Sequence, residues 1–155
     1  MTDTPTDVTS PGRMTRSRAI TATHVQLFSL VAAGDADALR ELIPPYPAPG
    51  ALVNARGATE KQDTLLTWAA RHGHVSIVAL LLERGADLHS TTGGHGASAL
   101  HIACQEGHVA CVAHLVGARA DVNLTRDNGG TPLHASCLLG RVECVELLLG
   151  AGAGV

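Results

Sequence analysis

The sequence predicts an all-α solenoid of about four helix-turn-helix-loop repeats, and three observations carry that expectation. Segments beginning at Asp63, Ala97 and Gly130 superimpose: Gly73, Gly107 and Gly140 stand 34 and 33 residues apart, and Leu66, Leu100 and Leu133 keep the same steps. A fixed period of this size marks stacked structural units. The 155 residues are 45% hydrophobic but only 2% aromatic, with 24 Ala and 20 Leu, so a core can be filled only by closely approaching helices. Each copy is also bracketed by residues that start and stop helices. Thr64, Ser98 and Thr131 can accept a hydrogen bond from a free first-turn N–H, and the three glycines can take the positive φ that ends a helix.

Residues 1–22 contain six Thr and two Pro and are expected to form a flexible tail, leaving 23–155 as the repeat domain. The first repeat, 23–58, is degenerate. Gly34 is followed eight residues later by Leu42, but Val53-Asn54 arrives nineteen residues after the glycine instead of fifteen. The excess falls in Pro44-Pro45-Tyr46-Pro47-Ala48-Pro49-Gly50, an extended loop, since proline cannot continue a helix. Repeats 59–92, 93–125 and 126–155 share one plan. A first helix runs from the capping residue to the glycine, and in the last repeat Pro132 occupies the first turn, where its missing donor costs nothing. A second helix covers about Val75 to Glu83, Val109 to Val116 and Val142 to Leu149. Ile77-Val78, Cys111-Val112 and Cys144-Val145 point inward with the leucines. One such unit cannot bury its apolar side alone, so neighbours must stack.

Composition excludes several functions. A net charge of −3 and a pI near 6.3 supply no field to neutralise a phosphate backbone, so nucleic acid is disfavoured as a ligand. The longest strongly apolar run, Ile77 to Leu82, is six residues, against roughly 20 for a membrane span. Asp3 and Asp7 precede Arg13, Arg16 and Arg18 with no signal-peptide-like apolar stretch after them. A cytoplasmic setting is expected, with the nucleus left open. The phosphate-loop, dinucleotide, zinc-protease and serine-hydrolase motifs are all missing, so no enzyme, catalytic residue or cofactor is expected. Gly93-Gly94-His95-Gly96 is glycine-rich but belongs to an inter-repeat hairpin.

Thr131-Pro132-Leu133-His134-Ala135, Gly107-His108, Leu80-Leu81-Leu82, Gly85-Ala86-Asp87 and Ala120-Asp121-Val122-Asn123 resemble the TPLH, GH, LLL and GADVN elements of the ankyrin repeat, in that order and period. The resemblance is specific over 59–155, weaker over 24–55 and absent from the tail. Thr67 replaces the histidine of the second repeat, Arg119 a glycine and Gly154 the last aspartate. The first departure alters a polar contact between repeats, and the second strains a turn that prefers glycine.

His101-x-x-Cys104 and His134-x-x-Cys137 place a histidine and a thiol on one helix face in consecutive repeats, so a regulatory or sensory domain responding to metal or oxidation is the alternative to simple binding. Packing accounts for the pattern more simply. Ala70 fills the Cys position one repeat earlier, and in ankyrin proteins the TPLH histidine bridges neighbouring repeats. The four cysteines thus become two core positions, each seen twice. No metal ligand is assigned.

The resemblance implies a non-enzymatic adaptor that presents a concave surface to a partner protein, gripped by the hairpin tips and the exposed face of each first helix. Those positions map to Lys61, Asp63, His95 and Asn128 at the tips and to Arg71, His72, Gln105, Glu106, Leu138 and Leu139 on the helices. Trp68 is a further candidate anchor, because tryptophan is enriched in binding hot spots. Partial burial in the stack is the competing account of it. Leu115, Asp121 and Val122 around Asn123 match the pattern that a 2-oxoglutarate-dependent asparaginyl hydroxylase modifies in ankyrin proteins, though turn chemistry alone explains an Asn there. The last repeat ends in Leu147-Leu148-Leu149 and a Gly/Ala run with no polar cap. That ending predicts further chain beyond it, self-association through it, or poor solubility.

Overall fold

The computed structural model describes residues 16–43, 50–57 and 62–154. In chain order the helices are α1 (Arg16–Ala33), α2 (Ala36–Leu42), α3 (Gly50–Val53), α4 (Leu65–His72), α5 (Val75–Glu83), α6 (Ala99–Glu106), α7 (Val109–Gly117), α8 (Pro132–Leu138) and α9 (Val142–Gly150). Apart from the single turn α3, they form four antiparallel pairs. α1, α4, α6 and α8 lie side by side in one layer, and α2, α5, α7 and α9 lie behind them in the same order. Antiparallel bridges, Arg56 to Thr64 and Thr91 to Ser98, close the hairpins that lead into α4 and α6.

Helix starts follow the capping residues. Thr64, Ser98 and Thr131 accept from the N–H groups of Thr67, His101 and His134 at 3.2, 3.4 and 3.2 Å. Each such cap contributes about 1 kcal/mol. Gly73 and Gly107 end α4 and α6 at φ +71° and +79°. α8 stops earlier than its glycine, with Leu139 as the closing residue and Gly140 following at φ +66°. The second helices begin and end within one residue of expectation.

The N-terminal boundary differs from expectation. Residues 16–22, expected in the tail, are the start of α1, while 1–15 lie outside the described residues. The run from Arg16 to Ala33 contains no Gly or Pro to interrupt it, and Leu27 and Val31, one turn apart, are fully buried. In the loop of the first repeat, α2 ends at Leu42, ahead of the prolines, as expected; 44–49 lie outside the described residues.

Stacking repeats one device three times. His74, His108 and Arg141, each just after its repeat's glycine, reach back to a carbonyl of the preceding repeat: Ala32 at 3.4 Å, Arg71 at 3.1 Å and Gln105 at 3.3 Å. Each side chain lies over the glycine that ends that preceding first helix. A Cβ on Gly73 would come within 2.7 Å of the His108 ring, and one on Gly107 within 2.9 Å of the Arg141 side chain. The glycine therefore serves both the turn and the seat for its neighbour. Loops add further links. Asn54 Oδ1 accepts from the Asp87 N–H at 2.8 Å and Asn123 Oδ1 from the Gly154 N–H at 2.7 Å, while the Arg84 guanidinium donates to the Ile43 carbonyl. Leu81, Leu115 and Leu148 at the repeated position are fully buried, with Ile77, Val78, Cys111, Val112 and Cys144; Val145 is half-buried.

Candidate functional site

Side chains offered on the first-helix layer fall into two patches. The first lies on α4. Trp68 is half-buried, edge-on to Phe28 with ring centroids 6.0 Å apart and to His72 at 5.1 Å, so its indole is largely committed to the stack. His72 is exposed and stacks on His74 at 5.9 Å. Partial burial of the imidazole, then the charges of His74 and Arg71, depress the His72 pKa. Asp63, expected at a hairpin tip, is 1% exposed. Its carboxylate accepts from Arg71 Nη2 at 3.4 and 3.5 Å, and its backbone carbonyl accepts from the Gly57 N–H at 2.8 Å. Asp63 is therefore a structural residue, and Arg71 is partly spent as its counter-ion. Lys61 lies outside the described residues.

The second patch is a cleft of about 380 Å³ where α6, α8 and the hairpin between them meet, lined by Gln105, Arg126, Asn128, Thr131, His134, Ala135, Leu138 and Leu139 among others. Four predicted residues, Gln105, Asn128, Leu138 and Leu139, converge here. Leu138 is 85% exposed. Arg126, which the sequence pattern did not single out, forms the polar wall: Nη2 donates to Gln105 Oε1 at 2.9 Å. The available signal was a lone cation in a hairpin where the preceding repeat carries Thr92, whose N–H pairs with the Ala97 carbonyl as that of Arg126 pairs with the Gly130 carbonyl. Asn128 Oδ1 accepts from the Gly130 N–H at 3.1 Å and so holds the hairpin turn. His95, exposed at the preceding tip, joins Arg126, Asp127 and Asn128 around a shallower depression. Glu106 is half-buried and takes a hydrogen bond from Gln105 Nε2 at 3.4 Å.

Models of the ankyrin repeat match residues 61–93, and models of three-copy ankyrin repeats match 88–155, together more than half of the sequence. The chain belongs to the ankyrin repeat family. Its relatives include human ankyrin repeat domain-containing protein 29, 41% identical over 59 residues, covering 38% of this chain and 20% of that protein. Mouse ankyrin repeat and SAM domain-containing protein 6 is 40% identical over 103 residues, 66% of this chain and 11% of the relative. Human palmitoyltransferase ZDHHC13 is 38% identical over 89 residues, 57% of this chain and 14% of that protein. The chain thus spans a fifth or less of the length of these relatives.

As in other ankyrin repeats, the TPLH histidine of the third unit bridges to its neighbour. The Ser98 backbone N–H donates to His101 Nδ1 at 3.3 Å, which leaves Nε2 to carry the proton and donate to the Gly130 carbonyl at 3.1 Å. With both ring nitrogens engaged, His101 has no lone pair free for a metal. Among the described residues no group of three His, Cys, Asp or Glu could hold a metal ion. Thr67, in the histidine's place, turns its hydroxyl back to the Thr64 carbonyl at 2.9 Å instead of crossing to the next repeat.

The pairing of the cysteines as core positions holds only in part. Cys104, Cys111 and Cys144 are buried, but Cys137 is exposed, because no further helix layer among the described residues covers α8 there; His134 is exposed for the same reason. Burial pushes the Cys104 thiol up to about 12 and Cys111 up to about 11, the opposite of what a reactive thiolate needs. Asn123 is exposed, and its Oδ1 serves as the Gly154 acceptor.

Proposed function

We propose that the repeats act as a non-enzymatic protein-binding module, an adaptor whose working surface is the angle between the first-helix layer and the hairpins. Family membership supports the general role, since ankyrin repeats are protein-interaction modules. The observation that carries the location is the cleft between the last two repeats, where an 85% exposed Leu138 and the half-exposed Leu139 stand beside the polar wall of Arg126 and Gln105. Affinity in such interfaces rests on a few desolvated anchors rather than on area. The metal or redox reading has no support in this arrangement.

The test is partner capture from the native cell by cross-linking to the full chain, compared with Leu138→Ser/Leu139→Ser. Both leucines are exposed, so circular dichroism and the melting temperature should be unchanged while capture is lost. Undiminished capture by the double variant would move the interface elsewhere. Self-association through the last repeat is a second reading, favoured by the exposure of Leu138, Val142 and Leu149 on one helix pair. Sedimentation velocity over a hundredfold concentration range tests it, and a concentration-independent monomer refutes it.

A further inference from the structure

We propose that the cleft between α6, α8 and the intervening hairpin receives a partner segment bearing an acidic side chain, with its carboxylate on Arg126 and a neighbouring aliphatic side chain on Leu138 and Leu139. This rests on the protein-binding reading above and names the chemistry that the site selects.

Arg126 is a half-buried cation that forms no ion pair among the described residues. Its Nη2 donates to Gln105, a neutral amide, and its Nε is buried with no hydrogen-bond partner among the described residues. The ion pair found among the described residues joins Asp63 to Arg71 instead. Burial, and then the nearby positive charge of Arg71, make this guanidinium harder to hold charged than an ordinary arginine. A half-buried charge in such surroundings gains more from an incoming anion than a solvated one does. The planar guanidinium suits a carboxylate, which it can meet through two parallel N–H donors.

The rest of the cleft sets the remaining chemistry. Ala135, Leu138 and Leu139 supply an apolar floor beside Arg126, so the carboxylate must arrive with an aliphatic neighbour. A volume of about 380 Å³ lies at the small end of ligand pockets and suits a pair of side chains on an extended segment. A phosphate dianion fits less well. It would bring two charges to one free guanidinium, because the neighbouring Arg71 is already engaged by Asp63.

The probe is a peptide capped at both ends, acetyl-Gly-Leu-Glu-Leu-Gly-amide, whose single charge is the glutamate, with its glutamine counterpart as control. Both are titrated into the ¹⁵N-labelled full chain, following the Arg126 Nε–H and the Leu138 and Leu139 amides by NMR. The glutamate peptide should shift these signals and bind about tenfold more tightly than the glutamine peptide. Arg126→Gln should erase that tenfold difference with the melting temperature retained. Equal binding of the two peptides, binding of neither, or a preference that survives Arg126→Gln overturns the proposal. The two readings remain separable: a cellular partner lost from Leu138→Ser/Leu139→Ser but indifferent to Arg126→Gln sinks the carboxylate pairing and leaves the protein-binding role standing.

Discussion

His101 is fully buried, with its Nδ1 facing the Ser98 N–H, and burial lowers its pKa from 6.5 to about 4; the Gly130 hydrogen bond opposes that shift and the Arg126 charge adds to it. Between pH 6.5 and 4 the unfolded chain takes up a proton at this residue that the folded chain refuses. The contribution of His101 to stability is therefore complete above pH 6.5 and is lost as the pH falls toward 4, by about 1.4 kcal/mol per unit and roughly 3 kcal/mol in all. Urea denaturation of the wild type at pH 7 and pH 4.5 should show this loss, and His101→Asn should flatten the difference. An equally steep pH dependence in the variant would place the effect on other groups. The histidine's bridging role was implied by the ankyrin resemblance, and the TPLH pattern that carries that resemblance is local enough to be read from the sequence. Asp63 and Cys137 were not legible in the same way. Asp63 looks like a tip residue until Arg71, eight positions on, is seen to fold back onto it. Cys137 repeats the position of buried Cys104, yet its exposure depends on what packs against α8.

At the scale of elements, the caps fixed the starts of α4, α6 and α8 and the ends of α4 and α6, because they act within one turn of chain. The early start of α1 escaped prediction because the Thr-rich composition of 1–22 reads as a tail, although no Gly or Pro interrupts the run from Arg16 to Ala33. The turns after the second helices show the same contrast. Gly85 and Gly152 occupy them at φ +84° and +87°, and Arg119 occupies the equivalent turn after α7 at φ +67°. The strain was legible from the glycine missing at this register. An L-residue with a side chain pays about 1 to 2 kcal/mol in this conformation, partly offset by the greater freedom of glycine in the unfolded state. Arg119→Gly should thus raise stability by about 1 kcal/mol. The turn's own hydrogen bond, from the residue 119 N–H to the Val116 carbonyl at 2.9 Å, involves only backbone and is kept. A urea midpoint that stays put or falls would show that the arginine side chain contributes something its exposed position does not reveal.

Across the whole molecule, stability comes from interfaces between neighbouring pairs, so each pair is held according to how many neighbours it has. α6 packs against both α4 and α8, and α7 against both α5 and α9, whereas α8 and α9 are flanked by described helices on one side alone. The four thiols report on this gradient. Cys137 is exposed; Cys144 is buried in α9; Cys104 and Cys111 are buried in α6 and α7, the pair with neighbours on both sides. A thiol reagent added to the native chain should modify Cys137 at the rate of a free exposed cysteine. The others must wait for an opening, both because they are covered and because burial holds each of them above the ordinary thiol pKa. If the last pair can open by itself, Cys144 should follow at a rate at least about tenfold faster than Cys104 and Cys111, corresponding to roughly 1.4 kcal/mol less protection. Peptide mapping of labelled samples over time gives that order directly. Simultaneous labelling of the three buried thiols would mean that the stack opens as one cooperative unit. Cys137 would then be a fixed mark on a rigid surface, and the cleft beside it would present itself to a partner without local unfolding.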